Sequence, residues 1–379
     1  MGNAHARSQR PARPLTLWTP PGPDRRRLIS ELVRGSVTGD TLTWAADRVE
    51  ADDLDEPLLQ MLPSLYPYYV SQGLRHQAVP RIRGVYLRAR MQGLMACDVA
   101  LSVADILRRQ FGAEVIVLKG VALGVEYYGD LGLRPLGDAD VLVPDHISIA
   151  ELRECFDREE GWVLAADPSD RAITYLSPYG TQVDLHRFLF TDAQFPGAND
   201  ALWAQSQTLQ LRENTRPVRT LRREHHVFHA ITHGIPWSRA TAHRWILDVA
   251  AMARTAPAVD WDAVIEIAVR YRLTSTVATG MDYLSSLGVC DRMVVPDAES
   301  RADRLYQNHL AHPPVGWRSA MFAFVERPIR CVKMRDGRLT YRGYLAELRN
   351  SLAVEDDENL AWYGLRKSAA RIKTGHGAP

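Results

Sequence analysis

A change of hydrophobic period at Glu114 constrains this fold more than any other feature of the sequence. From about Arg27 to Gln110, apolar residues recur mostly at steps of three and four, which is the spacing of an amphipathic helix. Short apolar runs and turn residues replace that spacing up to about residue 198, and the helical spacing returns after Asn199. This order of patterns predicts an α+β protein, with a small α/β core inserted between helical regions.

These patterns divide the 379 residues into four segments. Residues 1–26 are rich in Pro and Arg and are predicted to be a disordered lead-in. Residues 27–111 are predicted to be an N-terminal helical region and residues 112–198 the α/β core. Residues 199–379 are predicted to be a mostly helical C-terminal region that ends in a basic helix at Leu360–Lys373.

Within these segments the spacing locates individual elements. Short apolar or alternating runs indicate strands, and Asp260 is a plausible N-cap for the last of the clear helices. The predicted strands are 115–118, 138–144, 162–166, 172–177 and 182–190, and the predicted helices are 85–110, 121–128, 148–159, 222–234, 241–254 and 262–271.

Overall composition excludes some classes of protein. The 46 basic and 45 acidic residues nearly balance, which disfavours a protein that coats nucleic acid. No run of 18 apolar residues is present, so no transmembrane helix is expected. The four cysteines are scattered without a CxxC pair, as in proteins of a reducing compartment, and we expect a cytoplasmic protein.

The chemistry is expected to centre on Asp138 and Asp140. Residues two apart on a strand point the same way, so the two carboxylates converge. At a separation of about 4 Å they would repel by about 4 kcal/mol at an effective dielectric near 20. A divalent cation relieves that repulsion, and oxygen ligands favour Mg²⁺ or Mn²⁺. Asp184 would join the pair if its strand lies beside theirs, and three carboxylates can hold metals for displacement at phosphorus.

Cationic and flexible residues near this pair suggest a phosphate-binding site. Lys119 and Gly120 directly follow a predicted buried strand, and they offer a cation and an adaptable backbone where a triphosphate could lie. Arg134, four residues before Asp138, could reach a phosphate oxygen with a forked pair of hydrogen bonds. The simpler interpretation is a solvated turn for the first two and a surface ion pair for Arg134.

Taken together, these motifs resemble the uncharacterised nucleotidyltransferase family of the polymerase-β superfamily. The resemblance covers roughly residues 80–260. The residues that carry it are Leu118-Lys119-Gly120, Tyr127, Leu133-Arg134-Pro135, Asp138-Ala139-Asp140-Val141-Leu142-Val143-Pro144, Val183-Asp184-Leu185-His186 and the stretch His229–Asp248.

The resemblance implies a mixed sheet flanked by helices and a Mg²⁺-dependent transfer of a nucleoside monophosphate from a nucleoside triphosphate, such as ATP, to a hydroxyl acceptor. It implies that Asp138, Asp140 and Asp184 are the metal ligands and catalytic residues, with Asp184 also a candidate base for the attacking hydroxyl. The superfamily usually has Gly-Ser or Gly-Gly where this chain has Lys119-Gly120, so Lys119 is expected to replace that contact with the terminal phosphates.

Several alternatives stay open at this stage. A small hydroxylated metabolite is the first choice of acceptor, because the sequence has no basic aromatic stripe for nucleic acid. A protein hydroxyl or a peptide is the alternative. The chain could also be a catalytically idle domain that binds a nucleotide or a partner protein. A DxD glycosyltransferase is less favoured, because the region before the motif is mostly helical.

Histidines supply two further candidates. His225, His229 and His233 lie at i, i+4 and i+8, so they share a helical face that could bind zinc or, with more weight, pack against the sheet or the acceptor pocket. His186 lies two residues after Asp184 and would share its face. We expect His186 to be satisfied by a neighbour and do not count it among the site residues.

Overall fold

The computed structural model describes residues 20–166, 171–190, 198–235 and 243–299, together with residues 11, 168 and 303. The predicted basic helix at 360–373 lies outside the described residues. The predicted disordered lead-in covers residues 1–26. The first helix begins at Pro23, so residues 23–26 of that segment are helical.

Four helices precede the sheet. The last of them corresponds to the helix predicted at 85–110 and is longer at its N-terminal end. It ends at Gly112, whose φ of 62° lies in the left-handed region that glycine adopts at helix C-termini. The four helices are α1 (Pro23–Arg34), α2 (Gly39–Glu50), α3 (Glu56–Ser71) and α4 (Val79–Phe111).

The sheet is mixed, as the resemblance implies, and its strand order is β3-β4-β5-β2-β1-β7-β6. The central pair β2 and β5 is parallel, whereas β2 and β1 are antiparallel. β6 and β7 lie beyond residue 198, where no strand was predicted. The strands are β1 (Ile116–Val117), β2 (Asp138–Leu142), β3 (Val163–Leu164), β4 (Ala172–Leu176), β5 (Gln182–His186), β6 (Gln207–Leu209) and β7 (Val218–Thr220).

Further helices connect and follow the strands. The N-cap prediction at Asp260 is confirmed, because its Oδ1 accepts a hydrogen bond of 3.0 Å from the amide of Ala263. The helices are α5 (Lys119–Leu123), α6 (Ile149–Asp157), α7 (Asp200–Ala204), α8 (Arg223–Gly234), α9 (Arg244–Arg254), α10 (Trp261–Tyr271) and α11 (Thr274–Ser286), and a π-helical turn, Gly124–Tyr128, follows α5.

Helices cover both faces of the sheet. Ala139 and Val141 of β2 point into an apolar cluster with α6 and the C-terminal half of α4. Leu142 of the same strand belongs to the other cluster, which includes α8 and α9. Because side chains alternate along a strand, Asp138 and Asp140 face the α8–α9 side. None of the helices among the described residues is long and apolar enough to cross a membrane.

Candidate functional site

The register of the two central parallel strands brings the predicted carboxylates together. Asp140 of β2 lies directly opposite Asp184 of β5, and Asp138 lies opposite Gln182. One ligand atom each from Asp140, Asp184 and His186 lie within 4.8 Å of one another, which is a spacing that could hold a metal ion. Asp138 shares the face of this group but is not one of the three.

Asp140 is buried and has two cationic or polar partners. Its Oδ1 accepts hydrogen bonds from Lys119 Nζ at 2.6 Å and lies 2.9 Å from His186 Nε2. Burial alone would raise the pKa of this carboxyl, but the Lys119 ammonium and the His186 contact outweigh it, so the pKa of Asp140 lies below its usual range. Asp140 is therefore an ionised carboxylate at neutral pH.

Asp138 is half-buried and differs from Asp140 in its partners. Among the described residues, no hydrogen bond or ion pair satisfies its carboxylate. Burial, followed by the nearby Asp140 charge, raises the pKa of Asp138 above its usual value. A cation between the two carboxylates would offset both causes of that shift by stabilising the ionised form.

Asp184 is oriented by one side chain of the neighbouring strand β4 and one of its own strand β5. Its Oδ1 accepts a hydrogen bond from the Thr174 hydroxyl of β4 at 2.7 Å and a longer one from the Gln182 side-chain amide at 3.4 Å. Thr174 lies opposite Asp184 in the β4–β5 register, so the sheet itself fixes this contact. The second oxygen of Asp184 has no partner among the residues that the structure describes.

The backbone at the predicted phosphate loop is unusual. Lys119 has a φ of 40°, a backbone conformation that residues other than glycine adopt rarely and at a cost of about 1–3 kcal/mol. Gly120 follows, and a Cβ there would lie 2.8 Å from Arg134 Nη1 and even closer to the Leu136 side chain. The small residue at Gly120 thus allows the loop to pack against the segment that leads into β2.

Arg134 is placed differently from a solvent-facing phosphate ligand. Its Nε and Nη2 donate to the two oxygens of Asp248 at 2.8 and 2.9 Å, and the Tyr128 hydroxyl donates to Asp248 Oδ1 at 2.8 Å. The side chains of Arg134 and Asp248 are only 4% and 6% exposed. Asp248 holds the pKa of Arg134 above its usual value, despite burial, which opposes this shift.

A cleft of about 620 Å³, including its open mouth, lies between the site, α8 and α9. Its walls mix apolar side chains with histidines and cations. The residues that line it are Lys119, Leu123, Arg134, His226, His229, Ala230, His233, Gly234, Arg244, Trp245 and Asp248.

The histidines of α8 are divided between this cleft and the core. His229 and His233 line the cleft, whereas His225 does not, although His225 is also buried. His226 Nε2 lies 2.9 Å from the Thr220 hydroxyl, which itself donates to the Val117 carbonyl. Because that hydroxyl has one hydrogen, His226 must donate to it and so carries its hydrogen on Nε2. No described group of metal-ligand spacing contains these α8 histidines.

The carboxylates fit a hard divalent cation by their chemistry. Oxygen ligands from Asp140 and Asp184 are close enough to share an ion, and Asp138 supplies an unsatisfied carboxylate on the same face. His186 is the addition that the sequence analysis excluded from the site. Its spacing of two residues from Asp184 was the available signal.

Comparison with known proteins identifies the family of this chain. A solved structure of an antigenic nucleotidyltransferase-like protein from Paracoccidioides brasiliensis matches 52% of this chain and 94% of its own length, at 17% identity and a TM-score of 0.34. The search of curated proteins gave no match. The family described as "Uncharacterised nucleotidyltransferase" matches residues 60–287, and the chain therefore belongs to this uncharacterised nucleotidyltransferase family.

Proposed function

We propose that this protein is a metal-dependent nucleotidyltransferase that moves a nucleoside monophosphate from a nucleoside triphosphate to a hydroxyl group of a small molecule. The observation that carries the proposal is the in-register pair of Asp140 and Asp184 on parallel strands, with Asp138 on the same face and Lys119 beside them. Family membership supports the reaction class.

In the proposed reaction the acceptor oxygen forms a bond to the α-phosphorus, and the bond from the α-phosphorus to the bridging oxygen breaks, so that pyrophosphate leaves. The acceptor hydroxyl proton passes to the second oxygen of Asp184, because Thr174 and Gln182 occupy the first oxygen. These two hydrogen bonds also fix the direction of the carboxylate.

Asp138, Asp140 and Asp184 would hold Mg²⁺ or Mn²⁺, which would neutralise charge on the attacking and leaving oxygens when bound. Lys119 pairs with Asp140 in the structure, and its ammonium would exchange that partner for a phosphate oxygen. Gly120 lets this loop pack closely against Arg134 and Leu136.

The test is a screen of the full-length protein for pyrophosphate release, with ATP first and then the other nucleoside triphosphates, in Mg²⁺ or Mn²⁺, against a panel of hydroxylated acceptors. Asp140→Asn keeps the shape of the side chain but removes its charge. We expect pyrophosphate release to fall at least 100-fold, which corresponds to about 2.7 kcal/mol of lost transition-state stabilisation.

Glu160→Gln is the matched control, because Glu160 is an exposed carboxylate away from the sheet centre and should leave the rate unchanged. Thermal unfolding and circular dichroism of both variants establish that they fold. Wild-type protein that binds nucleoside triphosphate but releases no pyrophosphate with any acceptor would favour the idle nucleotide-binding alternative. Equal rates for Asp140→Asn and wild type would contradict the proposed active site.

A further inference from the structure

The cleft between α8 and α9 contains three cationic side chains, and they differ in how their charge is balanced. Lys119 pairs with Asp140 at 2.6 Å. Arg134 is engaged through two nitrogens by Asp248. Each of these cations already has a carboxylate, so neither brings an unbalanced positive charge to the cleft.

Arg244 is the exception among the described residues of the cleft. Its Nη1 donates to the Pro135 backbone carbonyl at 3.1 Å, and no carboxylate among the described residues lies within ion-pair distance of it. The side chain is half-buried at the first residue of α9. Its other guanidinium donors are thus available to a ligand that enters the cleft.

The surroundings of Arg244 make an anion the expected ligand. Partial burial and the neighbouring Arg134 charge both lower the pKa of Arg244, whereas the charges of Asp248 and then Asp138, both beyond ion-pair distance, oppose this shift. A half-buried guanidinium without a carboxylate in direct contact is costly, and an oxyanion offers it both charge and forked acceptors. Lys119, which pairs with Asp140, lines the same cleft as Arg244, so an anion bound there would lie near the proposed metal-binding carboxylates.

The histidines that line the cleft do not compete for that role. Burial lowers the pKa values of His226 and His233 to about 3 and that of His229 well below its usual value. All three imidazoles are neutral at pH 7, so they contribute hydrogen-bonding groups but no charge. Among the described residues that line the cleft, the attraction for an anion therefore depends mainly on Arg244.

We propose that Arg244 binds the terminal phosphates of the nucleoside triphosphate, and that Arg134 is a positioning residue that fixes α9, and with it Arg244, through Asp248. The identity of the anion rests on the proposed function. The assignment moves the phosphate contact from Arg134, where the sequence spacing suggested it, to a residue 110 positions later in the chain.

The experiment compares wild type with Arg244→Gln and Arg244→Lys in the full chain. Arg88→Gln is the matched control, since Arg88 is an exposed arginine on α4. Isothermal titration calorimetry measures binding of inorganic tripolyphosphate, of a non-hydrolysable ATP analogue and of adenosine. Steady-state kinetics measures KM for ATP and kcat separately, and circular dichroism checks that each variant folds.

We expect Arg244→Gln to weaken binding of tripolyphosphate and of the ATP analogue about 10- to 100-fold, the range for a hydrogen bond to a charged group. Adenosine affinity should not change. KM for ATP should rise by a similar factor with a smaller change in kcat, Arg244→Lys should recover part of the loss, and Arg88→Gln should match wild type.

The proposal would be overturned by an absence of tripolyphosphate binding by wild type, by equal tripolyphosphate binding by wild type and Arg244→Gln, or by an effect of Arg244→Gln on the KM of the acceptor alone. The last result would assign Arg244 to an anionic acceptor. Tripolyphosphate binding that depends on Arg244, without pyrophosphate release from any nucleotide, would support the phosphate subsite while the proposed function fails. If Arg244→Gln is active and its KM for ATP equals that of wild type, the proposed function stands and the phosphate subsite at Arg244 is contradicted.

Discussion

The two faces of the central sheet have opposite chemistry, although the same strands supply both. Toward α4 and α6, β2 presents Ala139 and Val141 to a cluster of apolar side chains. Toward α8 and α9, the same strand presents Asp138 and Asp140. The difference shows that one face stabilises the fold by burying apolar side chains. The other face buries charged groups, and the partners of Asp140, which are Lys119 and His186, come from distant parts of the chain.

The buried ion pair between Arg134 and Asp248 offers the sharpest test of the polar face. Asp248→Asn leaves the Arg134 guanidinium buried without its counter-ion, and we expect a loss of about 3–5 kcal/mol in the free energy of unfolding. Urea unfolding followed by circular dichroism measures this loss. The double variant Arg134→Met with Asp248→Leu should lose less than the single variant, because it leaves no unpaired charge. Equal stability of Asp248→Asn and wild type would contradict the buried-pair interpretation.

On the apolar face, Leu152 of α6 is fully buried in the cluster with β2. Leu152→Ala should lower the free energy of unfolding by about 3 kcal/mol, because it removes buried methyl groups and leaves a cavity. Pyrophosphate release per folded molecule at 20 °C should equal that of wild type. A large fall in kcat for this variant, with the fold intact, would show that the two faces are not independent.

The smallest effect concerns acid stability. Burial lowers the folded-state pKa of His226 to about 3, whereas an unfolded histidine has a pKa of about 6.5. Above pH 6.5 both states are neutral and stability does not depend on this group. Between pH 6.5 and 3 the unfolded state alone takes up the proton. The free energy of unfolding therefore decreases by about 1.4 kcal/mol for each unit by which the pH is lowered.

Urea unfolding at pH 7.5, 6.5 and 5.0 tests this slope. His226→Gln can still donate a hydrogen bond to Thr220 but cannot titrate. Its loss of stability between pH 6.5 and 5.0 should be about 2 kcal/mol smaller than that of wild type. The buried His225 is present in both proteins, so its titration cancels in the comparison. Parallel pH profiles for the two proteins would contradict a buried neutral His226.

Local patterns in the sequence were sufficient to locate much of this fold. The spacing of Asp138 and Asp140 placed both on one strand face, and the capping box of Ser148 and Glu151 begins α6 within the helix predicted there. The strands β6 and β7, at one end of the sheet, were missed because each has only three residues, of which one is apolar, whereas β1 lies in the apolar run at 115–118.

The site depends on contacts between side chains that are far apart in the sequence, and local sequence patterns do not show such contacts. Arg134 and Asp248 are 114 residues apart, and no local pattern reports that contact. The same limit applies to Lys119, whose position near Asp138 was expected but whose pairing with Asp140 depends on β1 and β2 lying side by side. His186 was detectable by its spacing, yet its contact with Asp140 requires the parallel register.

That register also links correct folding to activity in a direct way. If β5 slipped by one residue against β2, Leu185 would replace Asp184 and His186 on the polar face, and these two polar side chains would enter the apolar cluster. A misaligned molecule would lose its proposed catalytic centre and most of its stability in the same event. Unfolding and degradation would therefore remove the inactive form, and the surviving population would be enriched in molecules with a complete site.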